Sequence, residues 1–271
     1  MAVSKMSDNS IELRNVSVVR NGKYILKHVD LTLADGENAV ILGANGSGKT
    51  TLVKLLNGDI RPYYEEDGSA YMSLFGRTTW NIFDLRDRIG VVSMDLQNRF
   101  GEDTTVVDVI TSGYFGSMDV FRNHEVTPEM VRAVYNAAVR MGIDDLLDRR
   151  IDNLSLGEMR RTLIARALVS EPEMLILDEP MTGLDIVMKD AFRRMFDYLT
   201  ASGVRIVMIT HELEDIPSCV DRVIMIKDGE KIHDGHKSEV LTSDNLSELF
   251  DADICVSVDD HGYRMRMVGD N

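Results

Sequence analysis

Gly43-Ala44-Asn45-Gly46-Ser47-Gly48-Lys49-Thr50 fits the pattern G-x-x-x-x-G-K-[ST], and its reading decides the fold of this chain. Three glycines let backbone N–H groups turn inward around an anion, and a following helix aims its positive end at the same point. Lys49 adds a point charge suited to the outer phosphates of a nucleoside triphosphate, and Thr50 offers a hydroxyl to Mg²⁺. The flanks agree. Ala39-Val40-Ile41-Leu42 reads as a buried parallel strand. Thr51 to Asn57 reads as a helix with Leu52, Leu55 and Leu56 on one face.

Working outward, the 271 residues suffice for an α/β core with a subdomain, and a 44% hydrophobic content is ordinary for a globular chain. Asn21-Gly22 and Asp35-Gly36 punctuate strands through Ile11 to Val18 and Val29 to Leu33, an antiparallel β layer ahead of the loop. Tyr71 to Phe75 and Ile89 to Ser93 are strand-like. From Thr104 to Ala167 the pattern turns helical. Met130, Val131, Val134, Ala137, Ala138 and Met141 recur at helical steps behind an N-cap at Thr127 and a proline at Pro128. The core resumes with Met174 to Leu177, a helix over Val187 to Ala201, and a strand over Val204 to Ile209. Hairpins are expected over Val223 to Ile232 and over Ile254 to Met267.

The formal net charge is −15, from 45 acidic against 30 basic residues. No basic stripe is visible, so no nucleic-acid partner is expected. The acidic surface reads as solvated and argues against direct docking to anionic lipid. No apolar run reaches bilayer length and no secretory pattern is visible, so a cytoplasmic location is expected, with any work at a membrane done through a partner. Cys219 and Cys255 lack CxxC spacing and read as reduced and structural. His233-Asp234-Gly235-His236 falls in a turn-rich stretch, and no cysteine or carboxylate cluster completes a metal site there.

Two further elements carry chemistry. Met174-Leu175-Ile176-Leu177-Asp178-Glu179 puts two carboxylates at the carboxyl edge of a parallel sheet, where ligands sit in α/β folds. Asp178 can hold Mg²⁺ and Glu179 can take a proton from an attacking water; the competing reading is a pair that caps a helix. Leu154-Ser155-Leu156-Gly157-Glu158 opens a helix and reads either as an anion site or as an ordinary N-cap.

Taken together these residues resemble the nucleotide-binding domain of ATP-binding cassette (ABC) proteins, here a single-domain ABC transporter ATP-binding protein. Gly43 to Thr50 resembles Walker A, Leu175 to Glu179 Walker B, and Leu154 to Glu158 the signature LSGGQ. Met181-Thr182-Gly183-Leu184-Asp185 resembles the D-loop, and Ile209-Thr210-His211 the switch-histidine segment. The resemblance covers roughly Ile11 to Leu241. It implies an α/β fold: a P-loop NTPase core with an antiparallel β layer and an inserted α-helical subdomain. The corresponding segments are 1–103 (β layer and Walker A core), 104–170 (helical subdomain with the signature), 171–241 (Walker B, D-loop and switch histidine) and 242–271 (a C-terminal β-hairpin tail).

The resemblance further implies ATP and Mg²⁺ as cofactors, with a second ABC ATPase chain, a homodimer when ATP is bound. Gly43, Asn45, Gly46, Ser47, Gly48, Lys49, Thr50 and Thr51 contact the nucleotide; Thr50, Gln97 and Asp178 serve the metal; and Glu179, His211 and Gln97 serve catalysis. Ser155 and Gly157 come from the partner, with Asp185 of the D-loop beside the nucleotide. The chain departs from the pattern in three places. Leu156 and Glu158 replace the usual glycine and glutamine of the signature. The glutamine loop falls on Gln97 or, three residues earlier, on Met94. The adenine-stacking position carries Arg20, whose guanidinium can stack on a purine, with Tyr24 the alternative.

The implied function is the ATP-hydrolysing subunit that powers a membrane transporter, peripheral at the inner face of the membrane through a separate transmembrane permease. Tyr114, Phe115 and Phe121 are candidate groove residues for that permease, each also readable as packing inside the subdomain. The alternative is a soluble ABC ATPase in a cytosolic assembly pathway such as iron–sulfur cluster building. DNA-repair ABC proteins insert a long coiled coil between Walker A and the signature, and this interval is short and heptad-free. Arg20, Val91-Val92-Ser93 with Gln97, and Val109 to Gly113 with Phe115-Gly116 resemble an ABC branch related to molybdate-type ATPases, a similarity that assigns no substrate.

Overall fold

Asn21 and Gly22 have φ of 52° and 73°, the doubly left-handed backbone of a type I′ turn, and they join β1 (Asn9–Arg20) to β2 (Lys23–Ala34) in register Arg20↔Lys23. The computed structural model describes residues 9–97, 99–101, 103–117, 125–259 and 262–269. After β2 come the fully buried strand β3 (Ala39–Leu42), α1 (Lys49–Leu56) and β4 (Tyr71–Leu74), which returns antiparallel to β1. The antiparallel layer therefore has the order β2-β1-β4. The chain forms two compact units, one running to Asn81 and resuming at Ile206, the other spanning Ile82–Arg205.

The second unit contains α2 (Ile82–Arg88), β5 (Ile89–Val92), α3 (Met94–Gln97), α4 (Val106–Ser112), α5 (Pro128–Met141), α6 (Leu156–Leu168), β6 (Met174–Asp178) and α7 (Ile186–Ala201). β5 and β6 pair in parallel. Each principal helix starts on a side-chain cap: Thr105 for α4, Thr127 for α5, Ser155 for α6 and Asp185 for α7. α5 buries Val134, Ala137, Ala138 and Met141, but Val131 is 57% exposed, on the flank of the apolar stripe. Phe121 lies outside the described residues, while Tyr114 and Phe115 are half-buried in the turn after α4.

From Ile206 the first unit resumes within β7 (Arg205–Thr210), followed by β8 (Arg222–Lys227), β9 (Glu230–His236), α8 (Lys237–Val240), α9 (Ser243–Phe250), β10 (Ile254–Asp259) and β11 (Gly262–Met267). β3 pairs in parallel with both β7 and β8, and β9 closes antiparallel on β8. His233 to His236 therefore lies on a strand and not in a turn, because the β8–β9 register runs on to Arg222↔His236. Asp234 there accepts from Arg222 Nε at 2.8 Å and from Lys231 Nζ at 2.8 Å, and Arg222 also reaches Glu37 at 2.8 Å. His233 pairs with Glu248, and among the described residues no cluster of His, Cys, Asp or Glu could hold a metal. The tail holds more than the expected hairpin. α9 precedes β10–β11 and ties to it: Val256 N–H donates to Ser243 Oγ at 3.0 Å and Ile254 N–H to Ser247 Oγ at 2.9 Å. Among the described residues no helix is long and apolar enough to cross a membrane.

Burial pushes the Asp234 carboxyl upward, but the hydrogen bonds from Arg222 and Lys231 outweigh it and hold the group below its ordinary value. A depressed carboxylate contributes stability above its unfolded value and loses it as the pH falls through its folded one. Asp234→Asn is therefore expected to cost about 1.5–3 kcal/mol in denaturant unfolding at neutral pH. The gap to the parent chain should shrink below about pH 4, where the parent carboxylate also protonates.

Candidate functional site

β3 ends at Leu42 and hands the chain to Gly43–Gly48, after which α1 begins at Lys49. Gly48 is the helix N-cap with φ 107° and has no side chain to satisfy the first-turn N–H groups. A Cβ at this position would lie 2.9 Å from the Ile25 carbonyl oxygen and 2.8 Å from Leu26 Cδ2. Lys49 is buried, with Nζ donating to the carbonyls of Gly43 at 2.7 Å and Ala44 at 2.9 Å. Ser47 Oγ is buried with no hydrogen-bond partner. An orphaned hydroxyl, a helix start without a side-chain cap and a lysine within one loop fit a polyphosphate, which brings several acceptors at once. Asn45, Gly46 and Thr50 are exposed and Thr51 is half-buried.

The loop is held from behind. Gly229 N–H donates to Ser47 O at 3.0 Å, and Lys27 N–H donates to Gly229 O at 2.8 Å. The Asp228-Gly229 turn between β8 and β9 thus bridges β2 to the loop, a role that sequence reading missed because Lys227-Asp228-Gly229-Glu230 signals only a turn. The register Leu42↔Thr210 places Gly43 and His211 at the same carboxyl edge of adjacent strands. His211 is half-buried, with Nε2 3.9 Å from Glu212 Oε1. Glu212 N–H donates to Thr210 Oγ1 at 3.1 Å, which shapes this turn. Arg20 and Tyr24 both lie at the tip end of the β1–β2 hairpin and are exposed; the Tyr24 ring lies tilted against His28 and edge-on against Tyr63.

In the second unit, the register Val92↔Leu177 places Ser93 and Asp178 at the same carboxyl edge of β5 and β6. α3 begins one residue later at Met94, whose side chain lies outside the described residues, and ends at half-buried Gln97. Asp178 and Glu179 are both half-buried, and Glu179 has φ 52°, uncommon for a residue with a side chain. They do not cap a helix: α7 begins at Ile186, and its cap is Asp185, whose Oδ1 accepts from Met188 N–H at 2.9 Å. The Thr50 hydroxyl and the Asp178 carboxylate are hard oxygen donors of the kind Mg²⁺ takes, alongside water and phosphate oxygens.

Ser155 is the N-cap of α6, and Glu158 closes a capping box on it. Ser155 N–H donates to Glu158 Oε2 at 2.7 Å and Glu158 N–H to Ser155 Oγ at 3.3 Å. These bonds from Ser155 hold the Glu158 carboxyl below its ordinary value, which gives the unusual glutamate a local structural reason. Gly157 is buried because α7 packs onto this turn; a Cβ there would sit 2.4 Å from Met188 Cε. Leu156 is 36% exposed.

A glycine-rich loop between a buried parallel strand and a helix, with carboxylates at the same kind of edge, defines a P-loop nucleotide-binding protein. The ABC transporter family profile matches residues 26–182. The ABC transporter ATP-binding protein YlmA of Bacillus subtilis (strain 168) is 35% identical over 250 residues, covering 91% of this chain and 92% of YlmA. ModF of Escherichia coli (strain K12), another ABC transporter ATP-binding protein, is 36% identical over 225 residues, covering 81% of this chain and 45% of ModF. The solved structure of cbiO1 from Clostridium perfringens, part of the ABC transporter complex cbiONQ, superposes with a TM-score of 0.75 at 28% identity, covering 89% of this chain and 94% of that one. The chain belongs to the ABC transporter family, as a nucleotide-binding P-loop ATPase of the kind that powers a membrane transporter.

Gly48→Ala forces a Cβ into the Ile25 carbonyl at a φ that L residues rarely adopt. The variant is expected to lose nucleotide binding by at least about tenfold in a fluorescent-nucleotide titration, a cost of about 1.4 kcal/mol or more. An affinity equal to the parent's would show that the loop reshapes freely.

Proposed function

We propose that this chain binds Mg-ATP, dimerises around it, and spends hydrolysis on a separate transmembrane permease, with which it sits peripherally at the inner membrane face. The observation that carries the reading is the loop itself: the orphaned Ser47 hydroxyl and buried Lys49 beside the start of α1. In this reading Gly43 to Thr51 hold the triphosphate, with Gln97 at the nucleotide's metal and Arg20 or Tyr24 against the base. Thr50 and Asp178 would hold Mg²⁺, which when bound neutralises phosphate charge. Glu179 accepts a proton from the attacking water, and His211 donates to the outer phosphate. Ser155 and Gly157 serve the nucleotide of the partner subunit, with Asp185 beside it. Segment 104–170 is the helical subdomain that meets the permease, and Tyr114 and Phe115 are candidates for that contact.

Charge supports the dimer. A triphosphate joins two acidic chains only when donors on both sides neutralise it, so hydrolysis and release loosen the pair. Glu179→Gln is expected to bind Mg-ATP, to elute as an ATP-dependent dimer in size-exclusion chromatography, and to lose turnover by about 100-fold or more. Unchanged turnover would remove Glu179 as the base, and a monomer under saturating Mg-ATP would remove the dimer.

A further inference from the structure

Arg160 lies in the second turn of α6 and is 1% exposed, the largest of the fully buried side chains. Helical side chains lean toward the N-terminus, so its guanidinium returns toward the first turn of the helix. There Nη2 donates to the Thr182 carbonyl at 3.3 Å, while Nε has no hydrogen-bond partner. No carboxylate among the described residues pairs with it. Burial lowers its pKa to about 10, so it stays charged at neutral pH. A buried cation without a counter-ion is costly, and leucine or methionine would fill the space without that cost.

What it holds is the turn after Walker B. Thr182 N–H donates to the Glu179 carbonyl at 3.4 Å, and Thr182 Oγ1 to Glu179 Oε2 at 3.3 Å. Glu179 itself sits at φ 52°, a backbone that surrounding contacts must maintain. Arg160 to Thr182 to Glu179 is thus a continuous path from the helix that Ser155 caps to the proposed base of the same chain. All of these bonds are long, so a small shift of α6 tightens or breaks them.

We propose that Arg160 is a positioning residue that sets the Glu179 turn from the signature helix, so that a partner's nucleotide engaging Ser155 and Gly157 aligns the base of the same subunit. This rests on the reading above, in which Glu179 is the base and the signature meets the partner's nucleotide.

The test uses Arg160→Gln and Arg160→Lys in the full chain, with Glu179→Gln alongside. Melting temperature, Mg-ATP affinity, ATP-dependent dimer formation (in the Glu179→Gln background) and steady-state kcat and KM are measured. Arg160→Gln should fold, bind Mg-ATP and dimerise as the parent does. Its kcat should fall about 10- to 100-fold at unchanged KM, the scale of a misplaced catalytic group. Arg160→Lys, which keeps a charge and a donor, should recover part of that loss. Retained kcat overturns the proposal. So does loss of dimer and turnover together in a folded variant, since Arg160 would then act on the interface. If Arg160→Gln does not fold, Arg160→Lys alone decides by the same criteria, and failure of both to fold overturns the proposal in favour of a structural role. An active or monomeric Glu179→Gln would instead sink the underlying reading, whatever the Arg160 variants do.

Discussion

The structure of the first unit depends on one constraint: a loop that must present bare backbone to an anion needs its shape from elsewhere. Gly43 to Gly48 contribute almost no side-chain packing of their own. The conformation is imposed by β2, whose Ile25 carbonyl and Leu26 side chain crowd Gly48, and by Gly229, whose N–H holds the Ser47 carbonyl. Lys49 turns its ammonium back onto two loop carbonyls, which accept two of its hydrogen bonds inside the loop. Contacts from β2 and Gly229 thus hold the loop backbone from outside the loop.

The second unit applies the same economy at helix starts. Thr105, Thr127, Ser155 and Asp185 each cap a helix with a side-chain oxygen. At Ser155 the cap coincides with the candidate signature, and Glu158 completes it as a capping box. At Asp185 the cap coincides with the candidate D-loop and fixes where α7 begins. Ser155 and Asp185 thus each start a helix and belong to the surfaces proposed to meet nucleotide, and the capping box gives Glu158, one departure from the family pattern, a local hydrogen-bonding reason.

Much of this was legible beforehand. The phosphate loop, the parallel strands, the Thr127-Pro128 helix start and the C-terminal hairpin follow from short-range rules: glycine placement, apolar runs and capping residues. Where the reading went astray, the missing information was pairing. His233 to His236 looked turn-like from its composition, and the ladder to β8 made it strand. Val131 belonged to the apolar series, yet the partners of α5 cover only the stripe through Val134 and Met141. α9 went unread because its eight residues carry only Leu246 and Leu249 as a buried signal.

The sequence by itself determined the chemistry: a triphosphate loop, two carboxylates after an apolar strand, and a serine-capped helix, each set by residues close together in the chain. Tertiary structure alone decided which backbone supports which. Gly229 under the loop, Asp185 rather than Asp178 or Glu179 as the α7 cap, and Arg160 against Thr182 all join residues far apart in sequence or choose among nearby acidic residues. The physical reason is that hydrogen bonds and close packing between segments depend on strand register and helix placement, which no local pattern encodes.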